Sequence, residues 1–264
     1  MTDRTDPDAS APEATVLDVE GLGHSFGEVG VFSDVSFSVA AGTVTALVGP
    51  NGSGKTTLLR AVLGLLDPST GTVELRAERG DGRRVGYLPQ SPRFRPAFTV
   101  EETLSFYADL LDREVDVSAV VERVGLSAAS DRRVDALSGG MTRLLGIGQA
   151  VLGDPALVVL DEPTGDLDPR MTEYIFDLAA DLADDGMAVL LATHNLTGAE
   201  TADDVLVLGD GDVAAEGPPA ELVARTGTDS FHEAFVELTG GRPQATAGDA
   251  GTPAVSVRTR GDRE

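Results

Sequence analysis

Lysine appears once in the 264 residues of this chain, at Lys55, inside the run Gly49-Pro50-Asn51-Gly52-Ser53-Gly54-Lys55-Thr56. The spacing G-x-x-x-x-G-K-[ST] restricts what the backbone can do. Its glycines let successive N–H groups curl inward around an anion, and a helix opening from the loop adds the positive end of its dipole. The lysine reaches the β- and γ-phosphates of a nucleotide, and the Thr56 hydroxyl can ligate Mg²⁺. The flanking text supplies the setting such a loop needs. Val44-Thr45-Ala46-Leu47-Val48 reads as a buried strand, and Thr57-Leu58-Leu59-Arg60-Ala61-Val62-Leu63 as a helix. That context disfavours the plainer reading of a Gly-rich turn before an ordinary helix.

The rest of the chain extends the pattern. Val16–Val19 and Val35–Val39 read as strands, the second with strict alternation, and both precede the loop. After the helix come a strand at Gly71–Leu75, a turn at 80–83 and a strand at Arg84–Leu88. From residue 99 to about 152 the text turns helical. Thr99-Val100-Glu101-Glu102 is a capped start with an acidic first turn, and Leu104, Tyr107, Leu110 and Leu111 follow at helical spacing. Strands and helices then alternate again: Ala156–Leu160, a helix near 170–185, Met187–Ala192 and Val205–Leu208. Continuous apolar strands separated by helices predict an α/β fold whose parallel sheet is covered on both faces. Residues 1–14 and 239–264, rich in Gly, Pro, Ala, Thr and charge, read as disordered tails around a domain at 15–238. There is no internal repeat and no heptad pattern.

Composition narrows the classes of function. Asp and Glu number 44 against 20 Lys and Arg, a formal charge of −24. Such a surface repels nucleic acid and anionic lipid, so no nucleic-acid partner is expected. It fits a salt-loving source, where screening shortens to about 3 Å at 1 M salt; a GC-rich codon bias is the competing explanation. There is no cysteine, hence no disulfide and no thiolate metal site, which suits an intracellular chain. No apolar run is long enough to span a bilayer, and the first residues lack the features of a secretory signal. His24 and His232 have no ligand partners at metal-binding spacing and read as packing or surface residues, and Phe106 with Tyr107 as helix-face packing.

Two further segments carry chemistry. The strand Leu157-Val158-Val159-Leu160 runs into Asp161-Glu162, placing carboxylates at a strand end beside the phosphate loop. There Asp161 can hold Mg²⁺ through water and Glu162 can polarise a water for attack on the γ-phosphorus. Upstream, Leu137-Ser138-Gly139-Gly140-Met141 opens a helix, so Ser138, Gly139 and Gly140 expose N–H groups as a second anion site. Alone it would be an ordinary Ser cap. With these stand Gln90 after the strand ending at Leu88, Leu167-Asp168, and His194 after Ala192-Thr193.

Together these residues resemble the ATP-binding subunit of ABC transporters, from about Val16 to Leu238. By resemblance, Gly49–Thr57 is Walker A, Gln90 the Q-loop glutamine, Leu137–Gly140 the signature, and Leu157–Glu162 Walker B. Asp168 is similar to the D-loop aspartate, His194 to the switch histidine, and Phe26 to the aromatic that stacks on adenine. The resemblance implies the ABC-ATPase form of the P-loop NTPase fold: a mostly parallel core sheet with an antiparallel β subdomain and a helical subdomain at about 99–152. It implies ATP and Mg²⁺, with Glu162, His194 and Gln90 catalytic, and Thr56, Gln90 and Asp161 near the metal. Gly49, Pro50, Asn51, Gly52, Ser53, Gly54, Lys55, Thr56 and Thr57 would hold the nucleotide.

The family works as two half-sites, so Ser138 and Gly140 would serve the nucleotide of a second ATPase subunit, most simply another copy; Gly139 and Asp168 would also bind ATP. It also implies an integral membrane permease on a separate chain, docked at Ser91–Phe98, and a peripheral place on the cytoplasmic face of the membrane. Met141, where Gln is commoner, is a variant of ABC-2-type exporters. Thr142-Arg143-Leu144-Leu145 is less basic than usual, and Asp166 stands where Gly is frequent. A soluble ABC ATPase, acting on DNA or ribosomes or in iron–sulfur assembly, is the rival class. The short interval from Lys55 to Ser138 leaves no room for the long coiled coils of the former.

Overall fold

The computed structural model describes residues 14–76 and 84–240. The turn expected at 80–83, and the tails expected at the two ends apart from Ala14, Thr239 and Gly240, lie outside the described residues.

Strand β3 (Val44–Val48) leads through the phosphate loop into helix α1 (Lys55–Val62). Around it a six-stranded sheet forms in the order β5-β6-β7-β3-β8-β9. Its strands are β5 (Val85–Leu88), β6 (Leu157–Asp161), β7 (Ala188–Thr193), β8 (Asp204–Leu208) and β9 (Val213–Gly217). All pairings are parallel except the edge pair β8–β9. Apolar side chains on both faces explain the unbroken apolar text. In β6, Val158 and Leu160 join one core cluster while Leu157 and Val159 join the other.

One face packs against α2 (Val100–Ala108), α3 (Val117–Arg123), α4 (Gly139–Val151) and α5 (Pro169–Asp184). The opposite face meets α1 and a three-stranded antiparallel sheet of order β2-β1-β4, made of β1 (Thr15–Phe26), β2 (Val29–Ala40) and β4 (Thr70–Leu75). Short helices α6 (Leu196–Ala199), α7 (Pro219–Thr226) and α8 (Phe231–Leu238) follow the later strands.

Local chemistry accounts for the helix starts. Thr99 and Glu102 form a full capping box, each side chain bonded to the other's backbone N–H at 3.1 and 2.9 Å. Ser138 caps α4 through the Met141 N–H, and Asp168 caps α5 through those of Arg170 and Met171.

The sequence reading departs from the structure in β1, β2 and α2, among other elements. β1 and β2 are far longer than expected, because the chain continues through Gly21, Gly23 and Gly30 with register shifts rather than stopping there. Leu110 is 66% exposed; α2 ends at Ala108 with Asp109 as its cap, so the helical period no longer governs where Leu110 points.

Candidate functional site

The phosphate loop is built on backbone geometry that glycine permits. Gly54 caps α1 with φ 97°, and a Cβ there would lie 3.0 Å from Val31 Cγ1. Lys55 then turns back over the loop, its Nζ donating to the carbonyl oxygens of Gly49 at 2.8 Å and Pro50 at 3.3 Å. A cavity of about 310 Å³ lies above, lined by Val31, Asn51, Gly52, Gly54 to Thr57, Gln90 and Glu162. Within the loop, Ser53 Oγ is buried without a hydrogen-bond partner, and Ser53 does not line the cavity.

The acidic strand end faces this cavity. Asp161, the last residue of β6, accepts a 3.1 Å hydrogen bond from Thr56 Oγ1. Its carboxyl is pushed above the usual range, chiefly by burial, with neighbouring Glu162 adding to the effect and the Thr56 bond opposing it. Glu162 adopts φ 48°, a left-handed conformation uncommon outside glycine, while its N–H bonds to the Ala192 carbonyl at 2.9 Å. That turn aims its buried side chain back at the loop. One carboxylate oxygen lies 3.8 Å from Lys55 Nζ, and the other is 2.8 Å from His194 Nδ1. The ring of His194 is otherwise exposed, at the end of the neighbouring strand β7. Burial lowers the Lys55 pKa from 10.5, against the attraction of Glu162 and Asp161.

Lys55, Thr56, Asp161, Glu162, His194 and Gln90 thus gather at the C-terminal ends of the parallel strands, contributed by α1, the end of β6 and the segments after β6, β7 and β5. Ser138, Gly139, Gly140, Asp168 and Phe26 are not among the residues lining the cavity. Ser138, Gly139 and Asp168 are exposed at the starts of α4 and α5. Phe26 is 58% exposed, its ring edge-to-face on His24 with centroids 4.6 Å apart. His24 is a packing residue, 9% exposed, with neither ring nitrogen hydrogen-bonded. His232 is exposed.

Comparison with known proteins is decisive at this point. The family described as ABC transporter matches residues 32–165. The "Uncharacterized ABC transporter ATP-binding protein YdbJ" of Bacillus subtilis (strain 168) is 37% identical over 263 residues, 92% of this chain and 83% of that one. The chain belongs to the ABC transporter ATP-binding family.

The ABC family hydrolyses ATP, and this member has the P-loop ABC-ATPase fold. The "Nod factor export ATP-binding protein I" of Ralstonia nicotianae (strain ATCC BAA-1114 / GMI1000) is 37% identical over 220 residues, covering 79% of this ABC subunit and 68% of its own length. A solved "ATP binding subunit of ABC transporter" superposes with a TM-score of 0.75 at 29% identity, over 85% of this chain and 100% of that one. Among the described residues of the ABC subunit, no helix is long and apolar enough to cross a membrane.

Sequence reasoning missed the Glu162–His194 hydrogen bond, which joins residues 32 apart across two parallel strands. It also passed over Arg143, whose Nη1 donates to the Gln90 carbonyl oxygen. The available signal was that Arg143 is the one charged residue within α4.

Proposed function

We propose that this ABC subunit hydrolyses ATP at a site shared between two subunits and drives export through a separate membrane permease. The observation that carries this reading is that Lys55, Thr56 and Glu162 line one cavity, with Asp161 bonded to Thr56 and His194 to Glu162.

In this reading the loop N–H groups and Lys55 bind the β- and γ-phosphates. Glu162, held by His194 and by its own backbone turn, takes a proton from the attacking water, and His194 keeps that carboxylate oriented toward the γ-phosphate. Thr56 and Asp161 offer hard oxygen donors 3.1 Å apart, which suits Mg²⁺, with Gln90 at the cavity wall. When bound, Mg²⁺ would neutralise charge on the phosphate oxygens.

Ser138, Gly139 and Asp168, exposed outside the cavity, and the Gly140 backbone beside them are free to meet a nucleotide held by a second copy. Phe26, exposed at the end of β1, can stack on adenine. Two features support export: Met141 in the signature, and similarity to proteins whose names specify export. The permease docks over Ser91–Phe98, where Arg95 lies over the rings of Phe98 and Phe106 at 5.1 and 4.7 Å; its subunit would sit on the cytoplasmic face of the membrane. The charge of −24 supports a working environment of high salt.

The test is Mg·ATP hydrolysis by the purified chain in molar KCl, with co-purification from its native membrane. ATPase activity together with an integral membrane protein in the complex is the expected result. Hydrolysis by a chain that never associates with membrane protein would favour a soluble role.

A further inference from the structure

Helix α4 carries a single charged side chain, Arg143, and that side chain is half-buried. Its neighbours Leu144 and Leu145 enter the core at 3% and 0% exposure. Helix α4 passes close to β5 and the segment after it: a Cβ at Gly146 would meet Leu88 Cδ1 and would lie 3.5 Å from Pro92 Cβ. One turn earlier on the helix, this close approach sets Arg143 beside Gln90, and its Nη1 donates to the Gln90 carbonyl oxygen.

The other side of the guanidinium faces the turn after β6. A side chain at Gly165 would come within 3.9 Å of Arg143 Nη2. Asp166, in the left-handed region at φ 62°, attracts the charge, as do Asp161 and Glu162. One planar fork therefore spans the cavity wall at Gln90, the turn leading to Asp168, and the helix that begins at Ser138. Lysine, a point charge, cannot bridge such partners in the same way.

We propose that Arg143 is a positioning residue that transmits the state of the nucleotide cavity, sensed at Gln90, to the N-terminus of α4. A shift of the Gln90 backbone on nucleotide binding pulls the guanidinium, and the rigid first turn of α4 moves Ser138 and Gly140 with it. The proposal rests on the ATPase reading above. Arg143 does not line the cavity, so its loss should spare nucleotide binding and impair turnover.

The experiment compares the full-length parent chain with Arg143→Met and Arg143→Lys in molar KCl, measuring kcat, KM for Mg·ATP and thermal stability. Arg143→Met is expected to lower kcat about ten- to hundred-fold, the range for losing a charge-assisted hydrogen bond, with KM within about threefold of the parent. Arg143→Lys should recover only part of the rate. Hydrogen exchange gives a second reading: ATP should slow exchange at the Met141 and Thr142 amides in the parent but not in Arg143→Met. Should Arg143→Met fail to fold, Arg143→Lys reads the same quantities. Parent-like kcat and parent-like ATP protection in a folded variant overturn the proposal. A parent chain without ATPase activity overturns the functional reading itself, and this role with it.

Discussion

Replacing Lys55 by methionine should separate stability from function. In the ligand-free fold the ammonium makes two carbonyl hydrogen bonds, at 2.8 and 3.3 Å, and approaches Glu162 at 3.8 Å. Burial opposes these contacts and outweighs them, since the pKa lies below its usual 10.5. The protonated form therefore costs the empty fold stability, and methionine fills a similar volume without that cost. Ligand-free stability should stay within about 1 kcal/mol of the parent, a Tm change of about 4 °C or less for a domain of this size. Binding should respond very differently. Each charge-assisted contact from Lys55 to a phosphate oxygen is worth about 1.5–3 kcal/mol, so losing two should weaken Mg·ATP binding by about 10²–10⁴-fold. Differential scanning fluorimetry without ligand and calorimetric titration with Mg·ATP read the two effects. There is also a pH signature. Below 10.5 the unfolded chain binds more protons at this lysine than the native one, so parent stability rises as pH climbs through that window, and Lys55→Met lacks the rise. A variant that melts about 8 °C lower, or binds ATP within about threefold of the parent, would refute the reasoning.

Two further outcomes follow from the charge. Asp204 at the start of β8 holds its proton above the ordinary 3.8, through burial first and then the nearby carboxylates of Asp203 and Glu221. Above 3.8 the native state binds more protons than the unfolded chain, so this group costs stability as pH rises; Asp204→Asn should raise Tm at pH 7 and make no difference below pH 3.8. ATP-driven association brings two highly acidic surfaces together, so light scattering and ATPase activity should rise steeply from 0.1 to 1 M KCl, as the screening length falls from about 10 to about 3 Å; full activity at the lower salt would point to codon usage as the source of the acidity.

How much was legible depends on whether the information is local. The alternation Val35-Ser36-Phe37-Ser38-Val39 gave its own strand, and the buried and exposed positions follow it residue by residue. Thr99 and Glu102 announced a capping box because both partners lie within one turn. β1 was read only as Val16–Val19, whereas pairing with β2 and β4 carries the strand on through Gly21, Gly23 and His24. At the site, the phosphate loop and the acidic strand end were visible as motifs. The left-handed turn at Glu162 and its bond to His194 were not, since they arise only when β6 and β7 lie side by side. Arg143 escaped for the same reason: its partner carbonyl is 53 residues away and has no side-chain signature.

The most direct test of the central claim is Glu162→Gln in molar KCl, followed by ATPase assay and size-exclusion light scattering with saturating Mg·ATP. Glutamine preserves shape and a hydrogen bond to His194 but cannot accept the proton from water. Turnover should fall by about 10²–10⁴ while ATP remains bound and holds two chains together as a stable dimer. Normal turnover, or a chain that stays monomeric with ATP bound, would contradict the account.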